Sequence, residues 1–100
     1  MDIKYNYFCS NQIAYEKIDG FLDNLTSQYS DMVSNPIKKW NDSKDRMDFS
    51  FEVKGFKVDG NIQLYKGKLF LDGKLPLLAR PFSGKIENTS KSELEKLFQV

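Results

Sequence analysis

Chemistry in a protein begins with side chains that move protons, hold metals or attack bonds, and this chain carries few of them. It has no His and a single Cys, Cys9, among 100 residues. The commonest general base and metal ligand is therefore missing. One thiol without an imidazole leaves no zinc constellation. No Gly-rich phosphate loop or Ser-based nucleophile elbow is legible. Gly55, Gly60, Gly67 and Gly73 fall in or between alternating runs, where Gly marks turns, bulges or close packing rather than a phosphate cradle. Asp59 and Asp72 could approach each other across neighbouring strands, but lone strand carboxylates are ordinarily solvated. The residues describe a non-enzymatic protein, with no cofactor and no metal expected.

Charge offers one asymmetry. Between residues 54 and 85, Lys54, Lys57, Lys66, Lys68, Lys74, Arg80 and Lys85 oppose only Asp59 and Asp72, a local surplus of five in a chain of net charge +1. Lys57, Lys68 and Lys74 share the polar side of the alternating runs with Phe70. A basic sheet face with an aromatic can stack on and neutralise single-stranded nucleic acid. Lys on an outer face also keeps strands soluble and edges unpaired. With one aromatic firmly placed and no RNA-binding motif, the plainer role is preferred and nucleic acid is disfavoured. The candidate contact surface is Tyr65 and Phe70 beside Lys57, Lys68 and Lys74, suited to a second subunit or a hydrophobic particle.

Three runs must position that surface. Met47, Phe49, Phe51 and Val53 alternate with polar residues. So do Phe56, Val58, Gly60, Ile62 and Leu64, and then Leu69, Leu71, Gly73 and Leu75. A period of two puts one row on a core and leaves the other wet. Lys54-Gly55 and Lys66-Gly67 supply the tight turns between runs. Asp2 to Phe8 alternates as well and predicts a short first strand, and Ile37 to Trp40 predicts another. Trp40 is expected to cap the core, with a binding-surface anchor as the sharper alternative.

Helical spacing occupies the rest. Ser10 or Asn11 can cap a helix whose stripe is Ala14, Ile18, Phe21, Leu22, Leu25, Tyr29 and Met32. Gly20 lies inside it, which a close helix–sheet contact would explain. Ser34-Asn35-Pro36 should end this helix. Pro76 stops strand pairing, and Pro81 suits the first turn of a second helix. That helix follows Leu78, Phe82, Ile86, Ser90, Leu94, Leu97 and Phe98, with Glu93, Glu95, Lys91 and Lys96 on a solvated face. The fold class is α+β in the order β-α-β-β-β-β-α: one antiparallel sheet of four or five strands with two helices on one face. Residues 1–100 form a single domain.

Apolar residues make up 40% and charged residues 29% of the chain, an ordinary globular balance. The lone Cys excludes an internal disulfide and fits a reducing compartment, with burial as a small apolar group its expected role. No run approaches the ~20 apolar residues of a membrane span, and MDIKYNYF lacks a signal-peptide core. The expected location is cytoplasmic.

The strand ending in Trp40, the words Val58-Asp59-Gly60-Asn61-Ile62 and Arg80-Pro81-Phe82, the run Leu69 to Leu78 and the terminal Leu94, Leu97 and Phe98 carry a resemblance. From about Ile13 to Phe98 the chain resembles the polyhydroxyalkanoic acid system (granule-region) family. The resemblance implies a small bacterial cytoplasmic protein associated with polyester storage granules, and no catalytic motif. The leading expectation is a protein acting through protein or hydrophobic-surface contacts, as a homo-oligomer or on a storage granule. The alternative is an acyl-chain or lipid-binding module with a pocket between sheet and helices.

Overall fold

The computed structural model describes residues 2–75, 81 and 83–98. Five strands, β1 (Asp2–Asn6), β2 (Val33–Trp40), β3 (Arg46–Val53), β4 (Phe56–Tyr65) and β5 (Lys68–Lys74), form one antiparallel sheet in the order β1-β5-β4-β3-β2. The helical segments are α1 (Asn11–Asp19), α2 (Phe21–Gln28) and α3 (Ser83–Leu97). The expected α+β order holds, with the first helical region divided in two.

The meander follows its period-two rows. Met47, Phe49, Phe51, Val53, Val58, Ile62, Leu64, Leu69 and Leu71 are all buried, while their sequence neighbours face outward. Lys54 and Gly55 have φ of 51° and 85°, and Lys66 and Gly67 have 46° and 79°. Two successive positive-φ residues match the twist of the flanking strands, so each turn closes in two residues. Phe49, Gly60 and Gly73 lie opposite one another across β3, β4 and β5. A Cβ at position 60 would collide with the Asp72 carbonyl oxygen and lie 2.8 Å from Cζ of Phe49. The Phe49 ring thus occupies the room that Gly60 leaves open.

α1 begins where Ser10 Oγ accepts a hydrogen bond from the Ile13 N–H at 3.2 Å. It ends at Gly20, and α2 starts at once, ending at Gln28 rather than running on to Met32. Gly20 does not owe its place to a close helix–sheet approach. Its φ is −87°, and a Cβ there would meet only the Lys17 carbonyl at 3.7 Å and the Asn24 amide at 4.0 Å. It marks the break between two helices that together bury Ala14, Ile18, Phe21, Leu22 and Leu25.

Two further expectations need correction. Ser34-Asn35-Pro36 does not terminate a helix but lies within β2, where the register shifts between Ser34 and Ile37 and Asn35 has a φ of 53°. A bulge on an edge strand is a place where Pro is tolerated, because no ladder N–H is lost. Glu93 is not on a solvated face: it is buried, with its carboxylate 3.3 Å from Lys96 Nζ. Residues 86, 90, 93 and 97 recur at three- and four-residue spacing, so Glu93 sits in the stripe itself. Cys9 is half-buried against the core. Pro81 lies two residues ahead of Ser83, and Pro76, Leu77, Leu78, Ala79, Arg80 and Phe82 are outside the described residues.

Ends of elements are tied down by specific contacts. Phe98 stacks on Tyr5 and Tyr7 with centroids 5.4 and 5.5 Å away, which docks the end of α3 on β1. Lys17 Nζ donates to the Leu97 carbonyl at 2.8 Å, a cation at the negative end of α3. Trp40 donates its indole N–H to Asp19 Oδ1 at 2.9 Å and meets the Tyr15 ring edge-on at 4.7 Å, joining β2 to α1. It therefore caps the core.

Two outcomes test this account. Gly60→Ala should destabilise the fold by about 3 kcal/mol, an overpacking penalty, while Gly20→Ala should be neutral or stabilising by up to about 1 kcal/mol. Denaturant midpoints would check both. Asp19 has its pKa lowered, first by the hydrogen bond from Lys38 and then by that from Trp40, against partial desolvation. A depressed carboxyl pKa contributes stability above its unfolded value of about 4 and loses it as pH falls through the folded value. Asp19→Asn should accordingly be less stable than the parent at pH 7, with the gap closing below about pH 4. Melts followed by Trp40 emission, the chain's single Trp, would show it.

Candidate functional site

Each face of the sheet carries a feature that a ligand or partner could use. On the inner face, a cavity of about 230 Å³ lies between α2, α3 and the β3–β4 end of the sheet. Buried Leu25 from α2, Val33 from β2 and Phe51 and Val53 from β3 form its walls with buried Ile86 from α3. Half-buried Tyr29, Met32 and Phe56 complete the apolar lining. Thr89 and Ser90 of α3 add hydroxyl groups. Lys54, at the β3–β4 turn, and Lys85, in the first turn of α3, are exposed and mark the mouth.

The reason for this arrangement is local. α2 stops at Gln28, and the chain crosses to β2 through Tyr29 and Met32, both of which line the cavity. Met32 accepts a hydrogen bond from the Lys54 N–H at 3.0 Å, which fixes the β3–β4 turn against the end of the crossing. The apolar stripe and the inner row thus meet around a space rather than closing on each other.

On the outer face the structure divides the expected contact surface. Tyr65 lies opposite Lys68, and Phe70 is opposite Gln63, so the two aromatics are diagonal neighbours on β4 and β5. Tyr65 is 62% exposed and Phe70 36%. A shallow recess beside them is bounded by Asn41, Asp45, Arg46, Gln63 and Leu64. The Lys66 ammonium sits 5.3 Å from the Tyr65 ring centroid. Lys68 belongs to this group. Lys57 and Lys74 do not: Lys57 is eight residues back along β4, roughly 26 Å at strand rise, and Lys74 is paired across the strands with Asp59. Lys57 Nζ lies 3.7 Å from an Asp59 oxygen. Asp59 and Asp72 are not paired, since Asp72 faces Asn61 on β4.

A family model described as "Putative polyhydroxyalkanoic acid system protein" matches residues 3–98. The chain belongs to this family. No curated protein and no solved structure matches it. The match takes in β1, upstream of the segment in which the resemblance was legible, and it spans the cavity walls and the outer aromatic pair alike. Among the described residues of this polyhydroxyalkanoic acid system protein, no helix is long and apolar enough to cross a membrane.

The cavity walls carry no site signal in the sequence, because the apolar lining residues belong to ordinary apolar rows. The available signal was Lys54 and Lys85, two cations flanking such rows. For the outer face, Tyr65→Ser with Phe70→Ser should leave the protein folded and melting cooperatively, with a loss of about 1–2 kcal/mol from the part-buried Phe70 ring. It should also weaken self-association in sedimentation or binding to hydrophobic particles, with little sensitivity to salt. A double variant equal to the parent in both assays would remove the surface from consideration.

Proposed function

We propose that this polyhydroxyalkanoic acid system protein is a non-enzymatic acyl-chain-binding module, with the chain held in the cavity between α2, α3 and the inner face of the sheet. The observation that carries the reading is the cavity, whose walls are mainly apolar. Protein interiors are packed like organic crystals and leave few voids larger than a water. A recess of this size lined mainly by apolar side chains departs from that close packing. At the ~30 Å³ of a liquid water per heavy atom, the cavity holds roughly seven or eight atoms. That is a short chain rather than a drug-sized ring system, for which sites run from about 300 Å³ upward. Each methylene buried contributes ~0.8 kcal/mol.

The family's description supports the choice of ligand, since a polyhydroxyalkanoic acid is built of hydroxy acids with aliphatic chains. The absence of His from the chain supports binding without turnover. The reading carries with it a cytoplasmic setting beside stored polyester. Contact with a granule or a second copy through Tyr65 and Phe70 is a second reading, favoured by the exposure of that aromatic pair.

The test is a melting experiment on delipidated protein with 1-octanol, backed by native mass spectrometry for any ligand that co-purifies. The alcohol should raise the melting temperature of the parent, as anything that binds only the folded state must. Thr89→Trp, which places an indole in the cavity from its half-buried wall position, should abolish the shift while the unliganded protein still melts cooperatively. No shift in the parent and no co-purified amphiphile would sink the reading.

A further inference from the structure

We infer that the cavity takes a single-chain carboxylate, an alkanoate of about eight carbons, whose headgroup is held at the mouth by Lys54 and Lys85. The inference rests on the acyl-binding reading and adds the charge of the ligand. Lys54 and Lys85 come from opposite walls, one from a sheet turn and one from a helix, and both line the same apolar recess. No acidic residue lines it.

Among the described residues, neither is drawn into an ion pair, in contrast to four other cations of the chain. Lys38 is paired with Asp19 and Asp23, Arg46 with Asp48, Lys57 with Asp59 and Lys96 with Glu93. Among the described residues, neither the Lys54 nor the Lys85 ammonium has a carboxylate within ion-pair distance. Two uncompensated ammonium groups at the rim of a low-dielectric recess attract an anion far more strongly than the same groups on an open face.

The backbone adds to the field and to the geometry. The first turn of α3 contains no acid and has Lys85 as its third residue. A cation there adds to the positive end of the helix dipole instead of offsetting it, so positive potential accumulates beside the mouth. Lys54 stands at a φ of 51°, a position where Asn, Asp or Gly is the ordinary choice. Its backbone N–H is tied to the Met32 carbonyl, which holds the base of the side chain in place. A carboxylate between the two ammonium groups would accept charge-assisted hydrogen bonds, while its chain displaces water from Leu25, Phe51, Val53 and Ile86.

Calorimetric titrations with octanoate, 1-octanol and octylamine at pH 7.5 would decide the point. The parent should bind octanoate about tenfold more tightly than 1-octanol, with an advantage that shrinks as salt rises. Lys54→Gln with Lys85→Gln should bring the two affinities within about twofold of each other while leaving 1-octanol binding unchanged. Lys54→Glu with Lys85→Glu should reverse the preference toward octylamine. Both pairs of substitutions are at exposed positions, and an unchanged melt without ligand verifies their folding. If 1-octanol binds and octanoate gains nothing, or if the gain survives the Gln pair, the carboxylate assignment is wrong and acyl binding stands. If no amphiphile binds the parent, both fail together.

Discussion

One apolar face of a five-stranded sheet has to be covered, and the cover has to come from two short helices and one of 15 residues. That demand shapes the rest of the molecule. The break at Gly20 lets α1 lie toward β4 and α2 toward β2, a spread that a straight helix could not manage. α3 then packs against both. Where the sheet's own inner row thins, at Gly60 opposite Gly73, the Phe49 ring fills the space and stacks on Phe51 at 5.9 Å. Where the helical cover thins, past Gln28, the cavity opens.

Legibility in the sequence followed the same division. Strand rows, both two-residue turns and the two helical regions were readable because each depends on residues within one stretch, with periods of two or about 3.6 doing the sorting. The strand assigned to Ile37–Trp40 was too short because a Pro beside Asn35 reads as a stop, and only the neighbouring β3 reveals that the pair sits in an edge bulge. Glu93 was misplaced by its charge although its spacing put it on the buried stripe. The cavity was legible only as a general location between sheet and helices. Its walls come from α2, the crossing to β2, β3, β4 and α3, and no local pattern reports how far apart five such pieces will stand.

Alternation gives the two candidate sites a spatial relation that neither has alone. Lys54, at the cavity mouth, sits in the turn that opens β4, and Tyr65 is the last residue of the same strand. Ten residues of strand span roughly 33 Å. The cavity mouth and the aromatic pair therefore lie at opposite ends of the sheet and on opposite faces. A protein holding an acyl chain inside could rest the other end of its sheet on a surface without either contact obstructing the other. The lysines sort accordingly, with Lys66 and Lys68 beside the aromatics and Lys54 and Lys85 beside the cavity.

The position of β1 has a consequence for how the chain reaches this state. β2 to β5 form a meander in which each strand pairs with the next, so their ladders can close by short steps. β1 pairs with β5 instead, bringing Asp2 opposite Asp72 and Asn6 opposite Lys68. The partner of the first strand lies more than 60 residues further along the chain. Such distant pairing raises contact order and slows folding relative to the meander, because the loop must be closed before the contacts repay it. Tyr5 and Tyr7 are also the platform on which Phe98 stacks, so the seating of α3's end depends on the placement of the first strand. The stack thus ties the first strand directly to the end of the last helix.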